Sequence, residues 1–270
     1  AYREAVIETL AWAEKNAAET RLVEKGQVRT VATGNLAIGL FQHDTNRNQE
    51  PNLHFHAVVA NVTRGPAGVW RTLKNDRLRS LNTLLNSIAM ARFRTSVEKL
   101  GYETGPALKH GNFEARGIGR EQLMAFSTRR QEVLDARRGS GLEAGRIAAL
   151  ATRSAKEAIE DRGALAVRWD QAAKEIGLDL EPLVESAHLR AASQEREAAR
   201  PATLVERGIA RLREFAARIS GEERDPLVPS HVLKKGPEGI AAAQAVASGV
   251  RHLSQREAGF EREALYKAAL

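Results

Sequence analysis

Apolar positions recur at spacings of three and four over residues 2–19, where Val6, Leu10, Ala13 and Ala17 share one face, and this predicts a helix. From Thr20 to Thr33 the period shortens to two, in β-like runs around a turn at Lys25-Gly26. LAIGLFQH (36–43) and LHFHAVVANVT (53–63) are rich in β-branched and aromatic residues and predict strands. Between them DTNRNQEPN is polar and holds a proline, which predicts a loop. A further short strand, GVWRTLK (68–74), follows the turn RGPAG. The helical period then returns. Asn75 or Asp76 caps a helix over 76–100, with Leu78, Leu81, Leu85, Ile88, Ala89, Phe93, Val97 and Leu100 as its stripe and Gly101 as its end.

From Arg120 onward the pattern is mostly helical, with a break at Arg138-Gly139-Ser140-Gly141, and Trp169 reads as core. The predicted fold class is α+β: an antiparallel sheet with helices packed on it, followed by a helical extension. Residues 1–190 are expected as one domain and 191–201, AASQEREAAR with Pro201, as a linker. Residues 202–270 are expected as a small helical unit, opened by TLVERGIARLREFAARI.

Composition narrows the function classes. A hydrophobic share of 43% in 270 residues supports a globular core. The absence of cysteine removes disulfides, thiolate nucleophiles and Cys-based zinc fingers. No apolar run approaches the roughly 18 residues of a membrane span, and the charged start AYREAVIETLAWAEKN shows no signal peptide. The chain lacks an initiator Met, so an excised piece is expected. The net charge of +7 is uneven: residues 61–120 hold eleven Lys/Arg against four Asp/Glu. Such a field suits an anionic partner, nucleic acid first; ordinary surface scatter is the other reading.

Three of the seven histidines fall in HDTNRNQEPNLHFH (43–56). In a strand, residues two apart project from one face about 7 Å apart, so His54 and His56 point the same way and can share a metal ion. An antiparallel pairing of 36–43 with 53–63 would bring His43 beside them and complete an open site. The other reading is a pair of polar residues on a solvated sheet face.

TGNLAIGLFQHDTNRNQEPNLHFHAVVANVT (33–63) resembles the three-histidine motif of conjugative relaxases of the TrwC/TraI type, in the HUH endonuclease superfamily. The likeness continues through RTLKNDRL (71–78), LGYET (100–104), EQLMAFSTRRQEVLDA (121–136) and ALATRSAKE (149–157). VRHLSQREAGFEREALYKAAL (250–270) resembles the segment leading into a helicase region, although no Walker A pattern occurs. The resemblance implies an enzyme that nicks one strand of plasmid DNA at an origin of transfer. In it, a tyrosine attacks the scissile phosphate, and a divalent ion (Mg²⁺ or Mn²⁺, with Zn²⁺ the third option) is held by His43, His54 and His56.

The resemblance further implies single-stranded origin DNA as partner, a fused helicase region and other transfer proteins as further partners, and the bacterial cytoplasm as compartment. The family's nucleophilic tyrosines lie upstream of the histidine block, so this chain is expected to be a fragment that does not cleave alone. Tyr2, Tyr102 and Tyr266 are expected to be structural.

Arg47, in the loop between the histidine strands, and Arg71 and Lys74, in the basic segment, are candidate DNA contacts. Asp44 is a candidate acceptor that orients an imidazole. Trp70 and Trp169 are weighed as base-stacking or core residues, and Arg129, Arg130 and Arg153 as diffuse DNA candidates. His110 reads as a strand residue without a role; His188, His231 and His252 read as surface or packing residues. Two other classes stay open: a DNA-binding module without catalysis, and a three-histidine phosphoesterase using metal-bound water.

Overall fold

The structure, a computed structural model, describes residues 1–139, 141–153, 161–199, 237–254 and 262–269. Helix α1 (Tyr2–Ala17) lies against a second long helix, α3 (Asn82–Lys99). The buried stripe of α1 is not the one marked by its largest apolar residues. Ala5, Thr9, Ala13 and Ala17 are buried, whereas Val6 and Leu10 are half-buried. Small side chains let the two backbones approach, and Thr9 satisfies its hydroxyl by donating to the Ala5 carbonyl at 2.7 Å. Leu81, Leu84 and Ile88 fill the seam with Ala17; Trp12, Leu78, Leu85 and Tyr266 pack at its edge.

The helix expected over 76–100 is broken at the buried Leu81, which separates α2 (Asp76–Ser80) from α3. The Ser80 hydroxyl donates to the Arg77 carbonyl, which also receives the Leu81 N–H, and such back-bonding bends helices.

The sheet is realised as small antiparallel ladders. Strand β1 (Glu19–Glu24) pairs with β2 (Gln27–Ala32), β3 (Ile38–Thr45) with β4 (Pro51–Val59), and β5 (Val62–Arg64) with β6 (Trp70–Thr72). The strand expected over 53–63 is interrupted at Ala60-Asn61, so its last residues pair with β6. Polar bonds tie the ladders together. The Thr20 hydroxyl donates to the Thr72 carbonyl at 2.9 Å, and the Lys74 N–H to the Glu19 carbonyl at 2.8 Å. Thr63, fully buried, donates from its hydroxyl to the Asn35 carbonyl at 2.8 Å.

A helical layer follows: α4 (Arg120–Ala125), α5 (Thr128–Ala136), α6 (Leu142–Ala151), α7 (Arg162–Glu175) and α8 (Glu181–Ala199). Helix α8 crosses the end of α3 at Gly101, whose φ is +86°; a Cβ there would sit 2.0 Å from the Ala187 carbonyl oxygen. That close approach lets the Arg190 Nε–H donate to the Gly101 carbonyl at 2.6 Å. Residues 191–199, expected as linker, continue α8 as helix. Helix α9 (Pro237–Ser254) packs on α10 (Arg262–Ala269), and α10 reaches α3, with Tyr266 edge-on to Trp12 at 6.0 Å. The expected helix TLVERGIARLREFAARI and His231 lie outside the described residues.

Candidate metal centre

The register of β3 against β4 decides which side chains meet. His43 stands opposite His54, and Phe41 opposite His56. Directly opposed residues of an antiparallel pair share a face, so Phe41, His43, His54 and His56 project from one side of the hairpin. The other side carries Phe55, packed edge-on to Tyr2 at 5.3 Å, and Tyr2 in turn contacts Phe93 of α3 at 4.7 Å. One face of the hairpin is therefore glued to the helices, and the histidine face is left open.

On that face the imidazole centroids of His43 lie 5.4 Å from His54 and 4.6 Å from His56, and those of His54 and His56 lie 5.0 Å apart. One nitrogen from each ring can be chosen so that all three lie within 4.8 Å of one another. An ion bonded to each at about 2.0–2.1 Å would draw these atoms closer together. The donor chemistry fits as well. The Asn52 carbonyl sits 2.8 Å from His54 Nδ1 and can only accept, so Nδ1 carries the proton and Nε2 keeps its lone pair outward. Three imidazole nitrogens suit a divalent ion that also takes oxygen ligands.

The loop that closes this hairpin is held from within and from outside. The register slips between His43 and Thr45, and the chain then turns on Asn46, whose side-chain oxygen accepts the N–H groups of Asn48 at 2.9 Å and Glu50 at 3.0 Å. Gln49 adopts a left-handed φ of 58°, a conformation costly outside glycine. The helical layer fixes it there. Trp169 of α7 donates its indole N–H to the Gln49 carbonyl at 2.7 Å, and Arg168 bonds the Gln49 side-chain oxygen at 2.6 Å. Glu50 is 9% exposed. Its carboxylate accepts the Thr128 N–H at the start of α5, 2.8 Å, and Asn46 Nδ2 at 2.5 Å. Asn48 reaches Glu132 at 2.8 Å and Thr128 Oγ1 at 2.9 Å.

Asp44 pairs with Arg162 at the start of α7. That hydrogen bond, foremost among its neighbours, holds the Asp44 carboxyl below its ordinary range. Arg47 sits half-buried in the same loop. Lys74 lies elsewhere, 25% exposed between the carboxylates of Glu19 (3.6 Å) and Asp76 (3.9 Å). Arg71 and Trp70 are exposed and line, with Lys74 and Arg21, a polar groove of 590 Å³.

Other sequence expectations resolve differently. Trp169 serves as a half-buried donor to the histidine loop, and Trp70 is 63% exposed. Arg129 is engaged structurally: its guanidinium donates to the Thr152 and Ala149 carbonyls at 2.6 and 2.9 Å, closing the end of α6. His110 sits in a 3₁₀ turn with a left-handed φ of 62°, not in a strand. The sequence reading missed Glu50, Asn48, Arg168 and Arg162. A carboxylate immediately before Pro51, where β4 begins, is the one local sign that Glu50 has a fixed place.

Similarity to known proteins converges on this block. A family model described as TrwC relaxase matches residues 1–176. The multifunctional conjugation protein TraI of Escherichia coli K12 is 41% identical over 184 residues, covering 64% of this chain and 10% of TraI. The chain thus spans about a tenth of that relative's length. Among solved structures, TrwC complexed with a 27-mer DNA comprising the recognition hairpin and the cleavage site is 35% identical with a TM-score of 0.62, covering 67% of this chain and 66% of that one. A metal-bound TrwC structure in complex with OriT DNA is likewise 35% identical, with a TM-score of 0.63 over 67% of this chain and 64% of that one.

Proposed function

Because this chain belongs to the TrwC relaxase family, we propose that it supplies the metal-holding part of a conjugative relaxase, which nicks one strand of plasmid DNA at an origin of transfer by tyrosine transesterification. The observation that carries this reading is the cluster of His43, His54 and His56 on the open face of a hairpin whose other face is packed away. When bound there, a divalent ion (Mg²⁺ or Mn²⁺, with Zn²⁺ as the third option) supplies positive charge to non-bridging phosphate oxygens.

The chain's own residues do the rest. His54 is oriented by the Asn52 carbonyl. The loop that joins the two histidine strands is braced by Glu50, Gln49 and the helical layer. Asp44, next to His43 in β3 and paired with Arg162, is the acceptor that orients an imidazole of the trio. Arg47 contacts the bound strand near the centre, and Arg71 and Lys74 contact it along the basic segment. Tyr2 packs on the far face of the hairpin against Phe55 and Phe93, which supports a structural role rather than that of the nucleophilic tyrosine. The family motif places that tyrosine ahead of the histidine block.

The partner is single-stranded origin DNA, in the bacterial cytoplasm. TraI is described as multifunctional, which supports further partners: a fused helicase region and other transfer proteins. Residues 1–190 make up the relaxase part and 202–270 the unit leading onward. Among the described residues no helix is long and apolar enough to cross a membrane.

The test is Mn²⁺ titration by calorimetry of the chain and of His54→Ala, together with retention of single-stranded DNA as salt rises. One Mn²⁺ site lost in His54→Ala, with DNA binding that weakens as salt rises, supports the reading. DNA binding without any metal site returns the chain to a plain binding module. Metal-dependent hydrolysis of a phosphoester by the chain itself would instead favour a three-histidine phosphoesterase.

A further inference from the structure

One apolar feature shares the open face with the histidines. Gly39 stands opposite Val58, two residue pairs beyond Phe41 and His56, so Gly39, Phe41 and Val58 continue the face that carries the imidazoles. A Cβ built on Gly39 would meet the Phe41 ring at 3.1 and 3.4 Å. The ring therefore lies back along β3, over the bare Cα of Gly39 and away from His43. A side chain at position 39 would press on the ring, which would have to give by a few tenths of an ångström.

Its outer surface is open: Phe41 is 55% exposed and Val58 beside it 58%. The opposite face of the same hairpin handles its phenylalanine in the usual way, with Phe55 packed between strand and helix. An aromatic surface held open directly across the ladder from His56, and one strand repeat, about 7 Å, from His43, is the form of a base-stacking platform.

Resting on the relaxase reading above, we propose that the Phe41 ring, seated on Gly39 and flanked by Val58, stacks a nucleobase of the bound single strand next to the phosphate held at the histidine centre. The occupant is a base rather than a protein segment because the platform is continuous with a site whose ligand is a phosphate. One nucleotide joins the two positions: phosphate at the imidazoles, base on the ring. Stacking is indifferent to base identity, since every base presents a π-face, so the platform adds affinity and fixes register at the scissile position without reading sequence. Gly39 is then a positioning residue, and a bulky β-branched side chain there would displace the ring.

The experiment compares the wild-type chain with Phe41→Leu, Phe41→Trp and Gly39→Val, using a fluorescein-labelled single-stranded oligonucleotide of mixed sequence and, separately, Mn²⁺ alone. Phe41→Leu keeps an apolar side chain and removes the π-face. It is expected to lower DNA affinity about tenfold, with the salt dependence of binding unchanged, because phosphate contacts remain. Mn²⁺ affinity stays at the wild-type value. Phe41→Trp retains or raises DNA affinity, and its added indole emission is quenched by unlabelled oligonucleotide. Gly39→Val falls with Phe41→Leu.

A wild-type chain that binds DNA and a Phe41→Leu variant that binds it equally well would overturn the platform and leave the relaxase reading intact. Loss of Mn²⁺ binding in Phe41→Leu would also overturn it, because the residue would then be supporting the metal site. A wild-type chain that binds neither Mn²⁺ nor DNA would overturn both.

Discussion

The β1–β2 and β3–β4 hairpins are built alike and finished differently. Both are antiparallel pairs of neighbouring strands; the first is fixed near its open end by the Thr20 bond to Thr72, and the second at mid-strand by Phe55 against Tyr2. The first keeps an unbroken register to its tip, where Lys25 and Gly26 turn at φ 51° and 79°, and Val23 and Val28 stand 70% and 66% exposed. The second slips register before its loop, and that loop is bonded to α5 and α7 through Asn48, Gln49 and Glu50. A free tip suffices for a ladder. A ladder that must hold three nitrogens at bonding distance from one ion also needs its loop end held, because the ligands sit at that end.

The sharpest break of this contrast removes the ligands themselves. His43→Ala or His54→Ala is expected to reduce Mn²⁺ affinity by more than about a hundredfold, since loss of an outer partner of a ligand already costs about 10–100-fold. Both side chains lie on the open face and fill no core, so the apo melting transition should shift by no more than about 0.5 kcal/mol in stability. Calorimetry and a thermal melt of the same samples check the two halves. A large loss of stability would make the trio a packing unit rather than a ligand set.

Next is the bracing itself. Glu50→Ala strips the acceptor from the Thr128 N–H and from Asn46, leaving two part-buried donors unmet. The expected cost is about 2–3 kcal/mol of stability, together with about a tenfold weaker Mn²⁺ site, because the loop then behaves like the β1–β2 tip. Hydrogen exchange should rise in 44–50 and at the start of α5, with β1–β2 unchanged. Wild-type Mn²⁺ affinity in a destabilised Glu50→Ala variant would separate bracing from metal binding. Trp169→Phe is the milder version: it keeps an aromatic ring, smaller than the indole, and deletes one hydrogen bond to the Gln49 carbonyl. About 1 kcal/mol is expected, with Mn²⁺ affinity lowered less than threefold.

The two hairpins also mark what was legible in the sequence. Strand alternation, the turn at Lys25-Gly26 and the spacing of His43, His54 and His56 are local properties, and the pairing of 36–43 with 53–63 follows from a loop short enough to fold back. The braces are not local. Glu50 meets Thr128 and Gln49 meets Trp169 across 78 and 120 residues, and no periodicity reports such a meeting, so Glu50 reads as one more polar loop residue. Packing hid other features for the same reason. Helix α1 buries its small residues Ala5 and Thr9 rather than Val6 and Leu10, because α3 comes close; the 76–100 pattern breaks where Leu81 turns into the core. Residues 191–199 look like a linker by composition, yet are helical in α8.

The smallest expected effect is at the bare tip. Val23 and Val28 face each other across the β1–β2 ladder, and each is more than two-thirds or nearly two-thirds open to water. The double substitution Val23→Thr, Val28→Thr keeps β-branching, so the strand preference of both positions survives, and little buried apolar area is lost. Stability should stay within about 0.5 kcal/mol of wild type, and Mn²⁺ affinity should not move, because among the described residues no bond links this tip to the histidine loop in the way that α5 and α7 brace that loop. A denaturant melt and an Mn²⁺ titration decide it. If the pair costs more than about 1 kcal/mol, something covers this tip in solution, and the two hairpins differ in which partner holds them rather than in whether one is held. If Mn²⁺ affinity falls while stability holds, the ladders are coupled through their bases at Thr20 and Thr72, and bracing of the metal centre extends beyond its own loop.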